Sequence, residues 1–248
     1  MTMEKIEYEV MYNVENDFWW YRGLHDLVLR FVRPAAAGPK KTLRILDAGC
    51  GTGRMLELLQ PYGEVEGFDF STEALRFCAQ RGLAAVSQQD LTTWQGDQNV
   101  YDVIISLDTL CHESITDEDS IVKAFHRALK PGGMLIVNLP AFELLRRRHD
   151  QAVHTKKRFT KKETITRFQA IGFFISNASY RLPYLFLIML GKKWLERLSG
   201  SARVESDLKM PPRWLNTLLS WLNRLENRCV ASGITISFGT SLFIVARK

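Results

Sequence analysis

The stretch "LRILDAGCGTGRMLELL", residues 43–59, decides the reading of this chain. An apolar run ends in an acid, Asp47, three glycines follow at alternate positions (Gly49, Gly51 and Gly53), and a helical pattern begins at Arg54. Strand, glycine turn and helix in that order open a βαβ unit, and the turn then lies at the carboxyl end of the strand, where open α/β sheets bind ligands. A dinucleotide fingerprint needs a further glycine where Arg54 stands. A pyrophosphate beside Asp47 would also meet like charge, whereas an amino group or another cation would be attracted. The loop is therefore not expected to cradle phosphates.

The rhythm continues outward from this unit. Short β-rich runs near 43–48, 64–69, 83–87, 101–107 and 132–139 alternate with helical patterns near 52–60, 72–80 and 117–129. That alternation predicts an α/β fold, a doubly wound and mostly parallel sheet covered on both faces. A helix near 161–170, a strand near 173–180 after Gly172, and the alternating apolar close "TISFGTSLFIVARK" follow. Between those last two strands, "PYLFLIMLGKKWLERL" and "PPRWLNTLLSWLNRLE" predict two helices, the second with Trp214, Leu218, Leu222 and Leu225 on one stripe. The expected organisation is an N-terminal helical lid over 1–40, a ligand-binding domain over 41–182 and 233–248, and a helical insertion or cap over 183–232.

Two more acids refine the ligand. Asp69 in "VEGFDFS" stands twenty residues after Gly49, the spacing at which a carboxylate accepts hydrogen bonds from ribose hydroxyls. Asp90 in "SQQDL" follows the third strand, placed to accept from an exocyclic adenine amine with Phe70 and Leu91 on either side of the ring. Three carboxylates around a nucleoside suit a cofactor that carries positive charge and no phosphate. S-adenosyl-L-methionine, with its ammonium, ribose, adenine and sulfonium, fits that description.

The ordered runs "ILDAGCGTG", "VEGFDFS", "QQDL", "YDVIISLDTLCHE" and "HRALKPGGMLIVNLPA" resemble the motif set of class I S-adenosylmethionine-dependent methyltransferases over about residues 45–141. The resemblance implies a Rossmann-like, seven-stranded doubly wound sheet. It also implies cofactor contacts from Asp47, Gly49, Gly51, Asp69, Asp90 and the backbone near Ser106 and Leu107, with Cys50, Gly53, Phe70 and Leu91 as further cofactor-binding candidates. The flanks "DFWWYRGLHDLV", "HDQAVHTKKRFTKKE" and "FGTSLFIVARK" resemble a bacterial subgroup whose members often lack an assigned substrate.

The function this implies is methyl transfer to a small-molecule acceptor, anionic or lipid-linked. The alternative is an S-adenosylmethionine-binding module without catalysis that docks a partner through its insertion. Arg22 is a candidate to reach the cofactor carboxylate, and Trp19, Trp20 or Tyr21 to shield the sulfonium. His149 and His154, after the fifth strand, are candidate general bases, since a hydroxyl or ammonium nucleophile must lose a proton. For Asp108 and His112, after the fourth strand, turn and capping roles compete with a role in the site. Cys50 and Cys111 read as packing thiols.

The bulk properties set the setting. With 248 residues, 46% of them apolar, the chain can bury a sizeable core. Four widely spaced cysteines give no metal pattern and point to reduced thiols in a cytoplasmic compartment. The N-terminal "MTMEKIEYEV" lacks the apolar core of a secretory signal. The net charge of +6 is concentrated in 146–162, where eight Lys/Arg face Asp150 alone. A solvated face, an anionic acceptor or lipid surface, and nucleic acid compete as readings of that cluster. "SLDTLCH" differs from the (D/N)PP(Y/F/W) type of motif in methyltransferases acting on the amino groups of DNA bases, which weakens the nucleic acid reading. The run "YLFLIML" is too short to span a bilayer, so membrane contact is expected to be peripheral, at the inner face.

Overall fold

The computed structural model describes residues 5–37, 42–147, 150, 154–199 and 210–248. Helices α1 (Lys5–Val14) and α2 (Trp19–Ala36) precede the first strand, β1 (Leu43–Ala48). Then follow α3 (Arg54–Leu59), β2 (Gly63–Asp69), α4 (Thr72–Gln80), β3 (Val86–Gln88), β4 (Tyr101–Leu107), α5 (Glu118–Ala128) and β5 (Leu129–Pro140). The chain closes with α6 (Lys161–Ile171), β6 (Phe174–Arg181), α7 (Pro183–Ser199), α8 (Arg213–Ala231) and β7 (Ser241–Arg247). Local chemistry marks the helix ends: Ser71 Oγ accepts from Ala74 N at 3.3 Å before α4, and Asp117 accepts from Ser120 N at 3.0 Å before α5.

All seven strands form one sheet in the order β3-β2-β1-β4-β5-β7-β6. β1 to β5 pair in parallel, and β7 runs antiparallel to both β5 and β6. Successive side chains of a strand face opposite ways, so each strand feeds two cores. Ile104 and Leu135 pack with Phe125 of α5 and Phe168 of α6, while Ile105 and Ile136 pack with Leu27 and Val32 of α2 and Leu59 of α3. The strand order reverses between β1 and β4. Their carboxyl ends bound the crevice where such sheets bind ligands.

Two elements differ from expectation. β3 starts at Val86 rather than near residue 83. Gly82 takes a left-handed turn (φ 73°) and the side chain of Leu83 is buried against Cys50, Leu56 and Cys78, so the chain packs inward before it can pair. The second difference is the orientation of α8. Its inward face holds Ser220, Asn223, Glu226, Asn227 and Val230, while Trp214, Leu218 and Leu225 of the expected apolar stripe face outward with Trp221. The reason lies in α2: Asn223 Nδ2 donates to Trp19 O at 3.0 Å and Asn227 Nδ2 to Gly23 O at 2.8 Å. The two helices meet through amides, and Gly23 permits it, because a Cβ there would lie 2.2 Å from Asn223 Nδ2.

Candidate functional site

At the end of β1, Asp47 is buried, and burial, reinforced by the nearby Asp69 carboxylate, pushes its pKa up to about 7. Among the described residues no cation pairs with it. The loop that follows turns through left-handed backbone at Gly49 (φ 84°), Gly51 (54°) and Gly53 (83°), which alternate glycines permit. Asp69, at the end of β2, accepts from Gly51 N at 2.9 Å through Oδ2 and from Ser71 N at 2.9 Å through Oδ1. Burial raises its pKa too, against the pull of those backbone donors. Two carboxylates thus flank the glycine loop in a setting that disfavours their charge. A ligand ammonium or a set of hydroxyl donors would relieve it.

The remaining expected contacts lie around this loop in different conditions. Cys50 is a buried free thiol whose pKa is raised by its side-chain hydrogen bond with the free thiol of Cys78 and by burial, the environment of an inert packing thiol. Phe70 is half-exposed and Leu91 is buried. Asp90 Oδ1 accepts from Thr92 N at 2.8 Å and Thr92 Oγ1 at 2.7 Å, so one oxygen shapes its own turn. Ser106 Oγ, inside β4, is buried with no hydrogen-bond partner among the described residues, and Leu107 pairs with Asn138 of β5. Arg22 stands elsewhere: it is exposed and lines a cleft with Arg33, Arg54 and Arg224. The inward turn of α2 is given instead to Trp19, Gly23 and Leu24.

The N-terminal segment closes over the loop by a different route. Glu15 accepts from Thr52 Oγ1 at 2.5 Å and from Arg81 Nη2 at 2.7 Å, and Arg81 Nε donates to Thr52 O at 2.9 Å. This clamp ties the end of α1 to the glycine loop and to the end of α4. Phe18 and Trp19 pack with Leu182, Tyr184 and Leu185, so the aromatic run joins the entrance of α7. Tyr21, whose hydroxyl is pushed to higher pKa by burial and by Glu15 and Asp108, packs its ring against Phe18 and Trp20.

At that exit Asp108 adopts φ 54° and both its oxygens accept from Asn138 Nδ2, at 3.0 and 2.9 Å. Burial lifts its pKa to about 6, opposed by Asn138, Arg181 and Arg158. The chain after β5 returns to the chain after β4, pairing Thr155 with His112. His154 Nδ1 thereby comes within 2.8 Å of Glu113 Oε1, and its ring lies 5.8 Å from that of His112. His149 lies outside the described residues. The basic segment is largely spent internally: Arg158 is buried in an ion pair with Asp150 at 2.8 Å, Arg146 holds Glu143 at 2.7 Å, and Lys157 holds Glu163 at 2.8 Å. What composition offered as a free basic patch is mainly the fastening of this loop.

Sequence reasoning missed Arg181. It ends β6 wholly buried, its Nη1 3.5 Å from Asn138 Oδ1 and its Nε 4.0 Å from Glu226 Oε1, while among the described residues Nε and Nη2 have no hydrogen-bond partner. Glu226 Oε1 and Oε2 accept from Leu182 N at 3.0 Å, fixing the chain where it leaves the sheet for α7. A lone arginine closing an alternating strand, just before the insertion, was the available signal. Glu113, missed as well, carries no signal in sequence, because its partner lies forty-one residues away.

A family model described as "Methyltransferase domain" matches residues 45–133. The chain is 30% identical over 128 residues to a ubiquinone biosynthesis O-methyltransferase of Bordetella avium, covering 48% of this chain and 51% of that protein. It is 34% identical over 102 residues to phosphoethanolamine N-methyltransferase 1 of Zea mays, covering 38% and 20%. The chain therefore spans about half the length of the first relative and a fifth of the second. Its fold matches the crystal structure of an S-adenosylmethionine-dependent methyltransferase from Mesorhizobium loti with a TM-score of 0.58 at 18% identity, over 88% of this chain and 96% of that one.

Proposed function

Because residues 45–133 form a methyltransferase domain, on the class I S-adenosylmethionine-dependent methyltransferase fold, we propose that the protein transfers a methyl group from S-adenosylmethionine to a small-molecule acceptor that carries an anionic group. The observation that supports the cofactor is the buried Asp47 beside Asp69 at the glycine loop, acids that lack a paired cation among the described residues. Asp47 would hold the ammonium, Asp69 the ribose hydroxyls, and Asp90 with Phe70 and Leu91 the adenine. When bound, the cofactor supplies a methyl group on a positively charged sulfur.

The chain's own residues then have two tasks. Proton removal falls to His154: Glu113 can only accept, so Nδ1 carries the hydrogen between them and Nε2 keeps the lone pair of a base. Acceptor orientation falls to Arg181, whose Nε and Nη2 have no hydrogen-bond partner among the described residues and support an anionic acceptor, since a buried guanidinium with open N–H groups is stabilised by a carboxylate or phosphate. Roofing by α1, α2 and α7 limits water, and alignment supplies much of the remaining acceleration. The test is turnover: S-adenosylmethionine is incubated with the protein and fractionated metabolites, and S-adenosylhomocysteine is measured. Product in anionic fractions, lost in His154→Ala, supports the reading, and no turnover with any fraction counts against it.

A further inference from the structure

The face of α8 turned away from the protein is apolar where a helix of a globular domain is normally polar. Trp214 is 69% exposed and Trp221 54%, with Leu218 and Leu225 beside them along one stripe. At helical spacing, the exposed Arg213, Arg224 and Arg228 line one margin of that stripe. The one acid of the helix, Glu226, is buried on the opposite side, so the exposed face holds cations and apolar groups and no carboxylate. Beyond the arginine margin opens the cleft that Arg22, Arg33, Arg54 and Arg224 line, about 270 Å³ in volume. Ser220 Oγ, buried and without a hydrogen-bond partner among the described residues, lies on its wall. Glu15 and Asp26 also line it but are engaged, Glu15 by Thr52 and Arg81 and Asp26 by Arg30 and Asn227. Among the described residues Arg22 and Arg224 make no ion pair.

We propose that this face docks on an anionic phospholipid bilayer, the tryptophans and leucines of α8 entering the interface and the arginine cleft receiving lipid phosphates. Charge selects this occupant. A second copy meeting the same face would oppose Arg213, Arg224 and Arg228 to their own kind, whereas anionic headgroups neutralise them. Tryptophan is suited to the headgroup boundary, where its ring is buried and its N–H remains wet. Among the described residues no helix is long and apolar enough to cross a membrane, so the contact lies in the plane of the surface. The unpartnered Ser220 hydroxyl, at the cleft wall, offers a phosphate oxygen a hydrogen bond.

Vesicle sedimentation tests this independently of any methyl transfer. The protein should sediment with phosphatidylglycerol-containing vesicles at low salt, weakly with pure phosphatidylcholine, and progressively less as salt rises. Arg213→Gln with Arg224→Gln should weaken binding roughly thirtyfold, since each charge near the surface contributes about 1 kcal/mol and each 1.4 kcal/mol is about tenfold. Trp214→Ser with Trp221→Ser should weaken it on the order of tenfold or more, with their S-adenosylhomocysteine affinity unchanged as proof of fold. Equal binding to both vesicle types, or to vesicles by wild type and variants alike, overturns the proposal. So does a lipid-free dimer that the tryptophan variant abolishes, which would assign the face to a second copy.

Discussion

His154 Nδ1 lies 2.8 Å from Glu113 Oε1, a contact made because the chain after β5 pairs back onto the chain after β4. A carboxylate on one ring nitrogen leaves the other free to take a proton from an acceptor hydroxyl or ammonium. His154→Ala should lower kcat by roughly a hundredfold or more, with S-adenosylhomocysteine binding intact. Glu113→Gln should lower kcat less. Unchanged kcat in His154→Ala across pH 6–9 would leave alignment to carry the reaction and His154 as scaffold.

If Asp47 holds the cofactor ammonium, cofactor affinity should depend on pH. The free protein holds a proton on this buried group up to about pH 7, where an unfolded chain loses it near 3.8, so the folded state loses stability as pH rises between those values. An ammonium bound at Asp47 favours the charged form and releases the proton. Affinity for S-adenosylhomocysteine should therefore climb between pH 5.5 and 7, by up to about tenfold per unit, and level off above. In Asp47→Asn the slope should vanish. Calorimetry in buffers of different ionisation enthalpy reads the released proton directly.

Gly49 and Gly82 share a left-handed backbone but differ in their surroundings. A Cβ on Gly49 would lie 2.5 Å from Thr109 Cγ2, whereas one on Gly82 meets nothing within 4 Å. Gly82→Ala should cost about 1–2 kcal/mol of backbone strain alone. Gly49→Ala adds displacement of Thr109, and its Tm should fall by several degrees more. Equal melting temperatures would mean that Thr109 yields freely.

If Arg181 orients the acceptor, replacing it should separate acceptor binding from cofactor binding. Arg181→Gln leaves Glu226 buried without its cation, a loss of roughly 3–5 kcal/mol that threatens the fold. Arg181→Lys keeps the charge and loses the planar fork. In that variant the acceptor KM should rise tenfold or more, while the affinity for S-adenosylhomocysteine is retained. An unchanged KM would make Arg181 a fastening of α8 to the sheet only.

Periodicity and turn chemistry made most of the sheet legible. The strand ending in Asp47, the glycine turn and Asp69 twenty residues after Gly49 could be read because each feature is local. The acids at the strand ends could be named for the same reason. What escaped depends on contacts distant in sequence. The pairing of residues near 112 and 155 created Glu113–His154, and the amide seam between α2 and α8 turned an apolar stripe outward. Charge density at 146–162 did not show how much of it is paired, because Arg158 finds Asp150 within the segment and Arg146 finds Glu143 three residues before it. Arg181 was readable as a charge at a strand end, but its open donors emerge only when β5, β6 and α8 meet.

Calorimetric titration of the protein with S-adenosylhomocysteine and with NAD, repeated on Asp69→Ala, bears most directly on cofactor identity and therefore on the whole account. Saturable binding of S-adenosylhomocysteine and none of NAD is predicted, with affinity falling about tenfold to a hundredfold in the variant as charge-assisted hydrogen bonds are lost. Binding of NAD, or an affinity for S-adenosylhomocysteine that Asp69→Ala leaves unchanged, would contradict it.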